Sequence, residues 1–143
     1  MAPSAAVRMA WAGACLQNKS NPHVPKFVSP KVHKLDNRFN YIRMEKLTPM
    51  SNSLPNNEFA AELKQLVYTM VGDGTNSIDA IRDMVKYSDS PRVLAYAEAN
   101  PKFYEAIYLV VAVSRKMGYK DNDIALNNLM MRGNDIVITD PLA

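Results

Sequence analysis

The chain is poor in the residues that most often build reactive or metal-binding sites. Its 143 residues include one cysteine, Cys15, and two histidines, His23 and His33. A single cysteine cannot form a disulfide within the chain, and no Cys/His cluster with the spacing of a zinc site is present. We therefore expect no internal disulfide and no metal site. We also expect that the protein is not secreted into an oxidising environment.

Long apolar runs are also missing. The longest covers residues 106–113, far short of the roughly 20 residues that span a bilayer. Hydrophobic residues make up 48% of the chain and charged residues 22%, which is ordinary for a globular protein. The sequence thus predicts one folded domain, the usual number for this length, without a transmembrane segment.

Glycine is scarce in the first half of the chain, whereas proline is common there. No glycine lies between Gly13 and Gly72, and six of the nine prolines fall within residues 1–55. Each proline fixes its own φ, removes a backbone donor and favours an extended preceding residue. We expect an extended arm over residues 1–55, with a possible short helix at 3–17, followed by a folded domain over residues 56–143.

Charge divides the chain in the same way. Residues 1–55 hold eight basic and two acidic residues, a net charge of +6, whereas residues 56–143 hold nine basic and twelve acidic residues, a net charge of −3. A basic arm is attracted to nucleic acid, to an anionic lipid surface or to an acidic protein groove. Its candidate contact residues are Lys26, Lys31, Lys34, Arg38 and Arg43.

Apolar residues occur at intervals along the same arm. A solvated disordered tail would be poorer in them, so they indicate a segment that becomes ordered on a partner surface. Aromatic residues interleaved with Lys and Arg are also typical of single-stranded nucleic-acid binding, which leaves nucleic acid open as a partner. The candidate partner-binding anchors are Phe27, Val28, Val32, Phe39, Tyr41 and Ile42.

Beyond residue 56 the apolar residues recur at helical spacing, which predicts an all-α bundle of four or five helices. Ser90-Pro91 and Asn100-Pro101 each place a polar residue before a proline, as at the start of a helix. The run from residue 101 to 117 is apolar nearly all round and predicts the central helix. A last helix is expected to carry Ile124, Leu126, Leu129 and Met130 and to end at Gly133.

The C-terminal tail, residues 134–143, contains a β-branched stretch that predicts a short strand. No obvious partner for this strand exists among the predicted helices. We expect it to pair either with residues 39–42 or with another protein by strand addition. Its candidate docking residues are Ile136, Val137 and Ile138.

Three short motifs contain residues that could take part in chemistry, but each lacks an essential part. Gly72-Asp73-Gly74 has no following Lys-Ser/Thr, so it does not match a phosphate-binding loop. Residues 121–123 lack the glycine and the distant glutamate of a calcium loop. His23 and His33 have no neighbours at the spacing of a catalytic triad. We expect no enzyme activity, no cofactor and no small-molecule substrate.

These features favour a non-enzymatic architectural subunit of a large assembly, in a virion or intracellular particle. A virion capsid or capsid-accessory protein is the form that we favour, with other protein subunits as its partners. One alternative is a ribosome-like or nucleocapsid-like protein whose basic arm contacts nucleic acid. Another is an accessory subunit of a mitochondrial complex, because residues 1–20 resemble a mitochondrial targeting segment in composition.

Overall fold

The computed structural model describes residues 4–28 and 43–142, and within these ranges the chain is mostly helical. This agrees with the predicted helical fold in its coarse outline, although a small sheet accompanies the helices. The described ranges contain five α-helices: α1 (Ser4–Gln17), α2 (Leu54–Gly72), α3 (Ile78–Tyr87), α4 (Pro91–Ala99) and α5 (Lys102–Lys116).

Within the described ranges, five short strands form two antiparallel sheets. The first pairs β1 with β2, and the second has three strands in the order β3–β4–β5 and includes the C-terminal part of the chain. A single turn of 3₁₀-helix, Leu126–Asn128, precedes β4. The strands are β1 (Phe27–Val28), β2 (Arg43–Met44), β3 (Thr48–Pro49), β4 (Leu129–Arg132) and β5 (Asp135–Ile138).

Small polar residues set the helix starts. Ser53 precedes α2 and its Oγ accepts a hydrogen bond from the Asn56 N–H at 3.3 Å, whereas Ser77 does the same for α3 through the Ala80 N–H at 3.1 Å. Such caps satisfy backbone donors that have no partner in the first helical turn. Because α2 begins at Leu54, the predicted boundary after residue 55 falls inside its first turn.

The central position predicted for the helix near residues 101–117 is confirmed. Helix α5 contacts α1, α2, α3 and α4, and most of its surface is buried. It is not the longest helix, since α2 has 19 residues and α5 has 15. The buried side chains of α5 include Phe103, Ile107, Val110 and Val111.

The helix predicted through Ile124, Leu126, Leu129 and Met130 is wrong. After one 3₁₀ turn the chain forms a β-hairpin, in which β4 pairs with β5. Gly133 has a φ of +61° and is the first residue of a two-residue turn. Such a φ is typical of the type I′ and II′ turns that join antiparallel strands. Its glycine therefore connects two strands and does not end a helix.

The first part of the arm does not lie apart from the folded domain. Val7, Trp11 and Cys15, four residues apart on α1, are buried together with Val24 in the same core as α5. Four-residue spacing places side chains on one helix face. The short helix considered possible at 3–17 is present as α1, and the described residues up to 28 pack on the body instead of forming a separate extended arm.

Candidate functional site

The structure describes some of the predicted docking residues, and the others lie outside the described ranges. Phe27 and Val28 form β1, and Arg43 begins β2. The ring of Phe27 is half-buried against the core, and Lys26 is exposed. Seven predicted contact residues lie outside the described residues: Lys31, Val32, Lys34, Arg38, Phe39, Tyr41 and Ile42.

The basic segment 29–42 is attached to a paired strand at each end. Val28 lies opposite Arg43 and Phe27 lies opposite Met44 in the β1–β2 ribbon. The two ends of the segment are therefore neighbours, since paired residues in antiparallel strands lie about 5 Å apart. The described chain therefore leaves the ribbon at Val28 and returns to it at Arg43.

The ribbon is fixed to the C-terminal hairpin through Glu45. The Glu45 N–H donates to the Lys26 carbonyl oxygen at 2.8 Å, and a Glu45 carboxylate oxygen accepts from the Lys26 N–H at 3.2 Å. The other carboxylate oxygen accepts from Arg132 Nε at 2.8 Å and from its Nη2 at 2.7 Å. Arg132 belongs to β4, so this ion pair joins the ribbon to the three-stranded sheet.

The same guanidinium also binds the chain just before the ribbon. Arg132 Nη1 donates to the Pro22 carbonyl oxygen at 2.8 Å, and Nη2 donates to the Val24 carbonyl oxygen at 3.1 Å. A planar guanidinium with five donors can hold several acceptors in fixed geometry. Arg132 thus connects the N-terminal segment, the ribbon and the hairpin.

A small cavity opens beside the ribbon, next to the point where the basic segment begins. Its volume is about 270 Å³, and two exposed lysines stand beside its apolar wall. Ammonium groups above apolar carbons can contact a ligand that has both an anionic and an apolar part. The lining residues are Cys15, Leu16, Lys19, Lys26 and Phe27.

Cys15 is fully buried at this cavity, and burial raises the pKa of its thiol above the ordinary value. The thiolate is the reactive form, so a raised pKa slows alkylation and oxidation. We expect Cys15 in the folded protein to resist iodoacetamide near neutral pH and to react once the chain is unfolded in denaturant. Mass spectrometry of the two samples measures this difference, and rapid labelling of the folded chain would contradict it.

The C-terminal strand pairs with β4, which was neither of the two partners expected for it. Residues 136–138 of β5 pair with β4 in an antiparallel register, Met130 opposite Val137. Neither residues 39–42 nor a second protein is needed to form this strand. The side chains of Ile136, Val137 and Ile138 are all buried.

The outer edge of β5, away from β4, is covered by the N-terminal segment and α4. The Ile138 N–H donates to the His23 carbonyl oxygen at 3.0 Å, and the Ile136 N–H donates to the Tyr96 hydroxyl at 2.7 Å. The Ile136 carbonyl oxygen lies 2.9 Å from His23 Nδ1. A further strand can pair with this edge only if residues 22–24 leave it.

His23 is buried, with 1% of its surface exposed. Its ring meets Tyr96 edge-on at a centroid distance of 5.7 Å and Phe103 at 5.2 Å. Because a carbonyl oxygen only accepts, the bond to Ile136 requires the proton of the neutral imidazole to be on Nδ1. The ring therefore joins the N-terminal segment to β5, α4 and α5.

The environment of His23 favours its neutral form. Burial is the main cause, and it lowers the pKa of the imidazole below the ordinary value. The hydrogen bond to Ile136 and the negative charge of Asp135 act against this shift. The positive charges of Arg132 and Lys102 add to it. His23 is thus a titratable group that the fold keeps uncharged at neutral pH.

A second cavity, of about 510 Å³, lies between β3, the start of α2 and the 3₁₀ turn. Its polar groups are the amides of Asn52, Asn57 and Asn127, and the Asn57 amide N–H donates to the Asn52 Oδ1 at 2.8 Å. Met50 and Leu126 are among its apolar lining residues. None of the described residues that line this cavity is acidic, basic, His or Cys.

The part of the chain that the structure describes contains neither a cluster of metal ligands nor a membrane-spanning helix. Among residues 4–28 and 43–142, no three His, Cys, Asp or Glu side chains come close enough to hold a metal ion. No helix in these ranges has both the length and the apolarity needed to cross a bilayer. Comparison of the chain with protein-family models, curated proteins and solved structures yields no match.

Sequence reasoning missed the residues that attach the N-terminal segment to the body. The four-residue spacing of Val7, Trp11 and Cys15 was an available signal, because it marks one apolar face of α1. No sequence signal connects Arg132 with residues 22–24, which are more than 100 positions away. His23 gave a weak signal only, as a lone histidine between two prolines.

Proposed function

We propose that the protein is a non-enzymatic architectural subunit of a large assembly and that it docks onto other subunits through residues 27–43. A virion capsid or capsid-accessory layer is the form of assembly that we favour. The folded body serves as a rigid support, and the basic segment 29–42 with its apolar residues supplies the contact.

The observation that carries this proposal is the attachment of the basic segment. A segment rich in Lys, Arg and apolar residues begins and ends at the paired residues Val28 and Arg43. The ribbon behind it is held by Glu45 and Arg132 through the bonds described above. Holding both ends of a binding segment on a rigid body lowers the conformational entropy lost when it binds.

The outer edge of β5 contributes less to this proposal than the sequence led us to expect. That edge is already occupied by His23 and Tyr96. We therefore assign the docking role chiefly to residues 27–43, and a role for Ile136, Val137 and Ile138 in binding a partner requires that residues 22–24 first leave the strand.

A second candidate function is nucleic-acid binding by the same segment. It is favoured by the cavity beside β1, where Lys19 and Lys26 stand next to Phe27. Lysines beside an aromatic ring can contact a phosphate and a base of one strand. This candidate differs from the first in its physics, because phosphate contacts make affinity fall steeply with salt, whereas apolar contacts do not.

Two triple variants separate these functions. The apolar variant carries Val32→Ser, Phe39→Ser and Tyr41→Ser, and the charge variant carries Lys31→Gln, Lys34→Gln and Arg38→Gln. Each tagged chain is expressed in its native source, and the fraction that sediments with large particles is measured in a sucrose gradient. We expect the apolar variant to lose most of its particle-bound fraction and the charge variant to keep most of it.

The matched measurement uses a fluorescent single-stranded RNA homopolymer and the purified chains. Nucleic-acid binding predicts that the wild type binds with a log–log salt slope of roughly one per phosphate contact and that the charge variant loses this binding. If the charge variant alone fails to enter particles, the nucleic-acid function replaces the architectural one. If both variants sediment like the wild type, residues 29–42 are not the docking element.

A further inference from the structure

The N-terminal segment and β5 meet at a contact in which one titratable ring has a central position. The His23 backbone carbonyl oxygen accepts a hydrogen bond from the Ile138 N–H, and the His23 Nδ1–H donates to the Ile136 carbonyl oxygen. The Tyr96 hydroxyl completes the contact by accepting from the Ile136 N–H. These bonds satisfy three backbone groups of β5 that would otherwise form an open strand edge.

We propose that this contact is an acid-labile clasp: protonation of His23 releases residues 22–24 from the outer edge of β5 and leaves that edge open for pairing. The clasp consists of His23 and the bonds that it and Tyr96 make to Ile136 and Ile138. The proposal does not depend on the docking role assigned to residues 27–43.

The surroundings of the ring explain why protonation of the neutral imidazole weakens the clasp. Protonation places a full charge on a ring that is 1% exposed and packed edge-on against Tyr96 and Phe103. Removing an ion from water is unfavourable unless an opposite charge compensates for it. The release of residues 22–24 returns the imidazolium to water, so protonation and opening favour each other.

The charges that face the ring come from three elements. Asp135 on β5 attracts an imidazolium, whereas Arg132 on β4 and Lys102 on α5 repel it. The phenol of Tyr96 on α4 is neutral in this pH range, because burial raises its pKa above the ordinary value. One acidic group and two basic groups therefore lie near the ring. The carboxylate of Asp135 does not offset the effect of burial on the pKa of His23.

The sign of the pH dependence follows from linkage. The pKa of His23 is lower in the folded chain than the value of about 6.5 expected when it is exposed. Its contribution to stability is thus complete above about pH 6.5 and is lost as the pH falls through the folded value.

Asp140, near the same strand, shifts in the opposite sense. Burial raises the pKa of its carboxyl despite Arg8 at 3.9 Å. Protonation of Asp140 as the pH falls therefore favours the folded chain and cannot cause an acid-induced release.

Amide hydrogen exchange across a pH series tests the clasp. The reporter is the Ile138 N–H, which donates to the His23 carbonyl, and Val137 is the internal control because its backbone faces β4. Between about pH 7.5 and about pH 5, we expect protection of Ile138 to fall about tenfold for each unit by which the pKa of His23 is lowered. Protection of Val137 and of Leu63 on α2 is expected to stay unchanged.

The chain offers a matched pair of histidine variants, since His23 and His33 are its only histidines. His23→Asn keeps an amide N–H near the position of Nδ1 but cannot take up a proton, so we expect the pH step to disappear. His33→Asn is expected to leave the step intact. In the wild type, the NMR titration of the His23 ring should have the same midpoint as the loss of Ile138 protection.

Several outcomes overturn the proposal. Ile138 protection that stays constant while the His23 ring titrates shows that protonation does not open the edge. An equal fall in His23→Asn shows that another group is responsible. Simultaneous loss of protection at Ile138, Val137 and Leu63 shows general acid unfolding and no local release. The ring titration of the wild type decides the matter even if His23→Asn fails to fold.

Discussion

Replacing Trp11 with alanine is expected to lower the free energy of unfolding by about 3–5 kcal/mol, the usual range for removing a buried tryptophan. Only 2% of this side chain is exposed, and it lies in the core that α1 shares with α5. Its indole N–H donates to the Thr139 carbonyl oxygen at 3.0 Å, across 128 positions of sequence. The substitution removes this bond and leaves a cavity between α1 and the body.

Chemical denaturation followed by far-UV circular dichroism measures the loss, because the variant has no tryptophan left for fluorescence. Trp11→Phe keeps much of the apolar volume but loses the indole donor, so we expect a smaller loss of about 1–3 kcal/mol. Met9→Ala is the control on the same helix. Met9 is 40% exposed, and its replacement is expected to change stability by less than about 0.5 kcal/mol.

The result decides whether the N-terminal segment belongs to the folded body. An unfolding free energy that is unchanged in Trp11→Ala would mean that α1 does not pack as described and that residues 4–28 behave as a free arm. A large loss would restrict any free docking segment to the residues after β1. The Trp11 series thus tests the structural basis on which residues 27–43 were given the docking role.

The helical part of the fold could be predicted from the sequence because its signals are local. Ser90-Pro91 lies at the start of α4, and Asn100-Pro101 lies directly before α5. The apolar pattern of α5 likewise identified the central helix, since a helix that is apolar on most sides must be covered on most sides. In both cases the information lies within one helix length.

The C-terminal hairpin was misassigned because two periodicities overlap there. Ile124, Leu126, Leu129 and Met130 include the three- and four-residue steps of a helix, whereas β4 begins at Leu129. Gly133 is compatible with a helix end and with a hairpin turn, and its φ of +61° occurs in both. Pairing with residues 135–138 decided between them, and pairing is a tertiary effect that outweighs local preference.

The packing of the N-terminal segment could not be predicted for a related reason. Its prolines predict extended chain, but residues 21–24 form a turn, in which the Val24 N–H donates to the Asn21 carbonyl oxygen at 3.4 Å, and this turn lies on the protein's own surface. The deciding contacts are Arg132 with the carbonyl oxygens of Pro22 and Val24, and Ile138 with His23. They join residues more than 100 positions apart, and one sequence contains no signal that pairs them.

The second large effect is expected for Arg132→Ala, which should lower the free energy of unfolding by about 2–4 kcal/mol. Hydrogen bonds to charged groups contribute about 1.5–3 kcal/mol each, although such contributions are not additive. The substitution removes the partners of Glu45 and of two backbone carbonyl oxygens at once. The Arg132 and Glu45 side chains are 26% and 19% exposed, so solvent screens this pair only in part.

Arg92 provides a matched control. Its Nε lies 2.7 Å from a Glu58 carboxylate oxygen, close to the 2.8 Å between Arg132 Nε and Glu45. The Arg92 and Glu58 side chains are 41% and 45% exposed, and an exposed pair contributes about 0–1 kcal/mol. Arg92→Ala is therefore expected to change stability by no more than about 1 kcal/mol, measured by the same denaturation.

Arg132→Lys separates charge from geometry. Lysine keeps the positive charge, but one ammonium group cannot reproduce the planar fork that reaches a carboxylate and two carbonyl oxygens. We expect it to recover less than half of the stability lost in Arg132→Ala. Full recovery would mean that charge alone holds the ribbon. Equal losses in Arg132→Ala and Arg92→Ala would mean that burial and the backbone contacts of Arg132 add nothing, and residues 27–43 would then lack the rigid support on which their docking role depends.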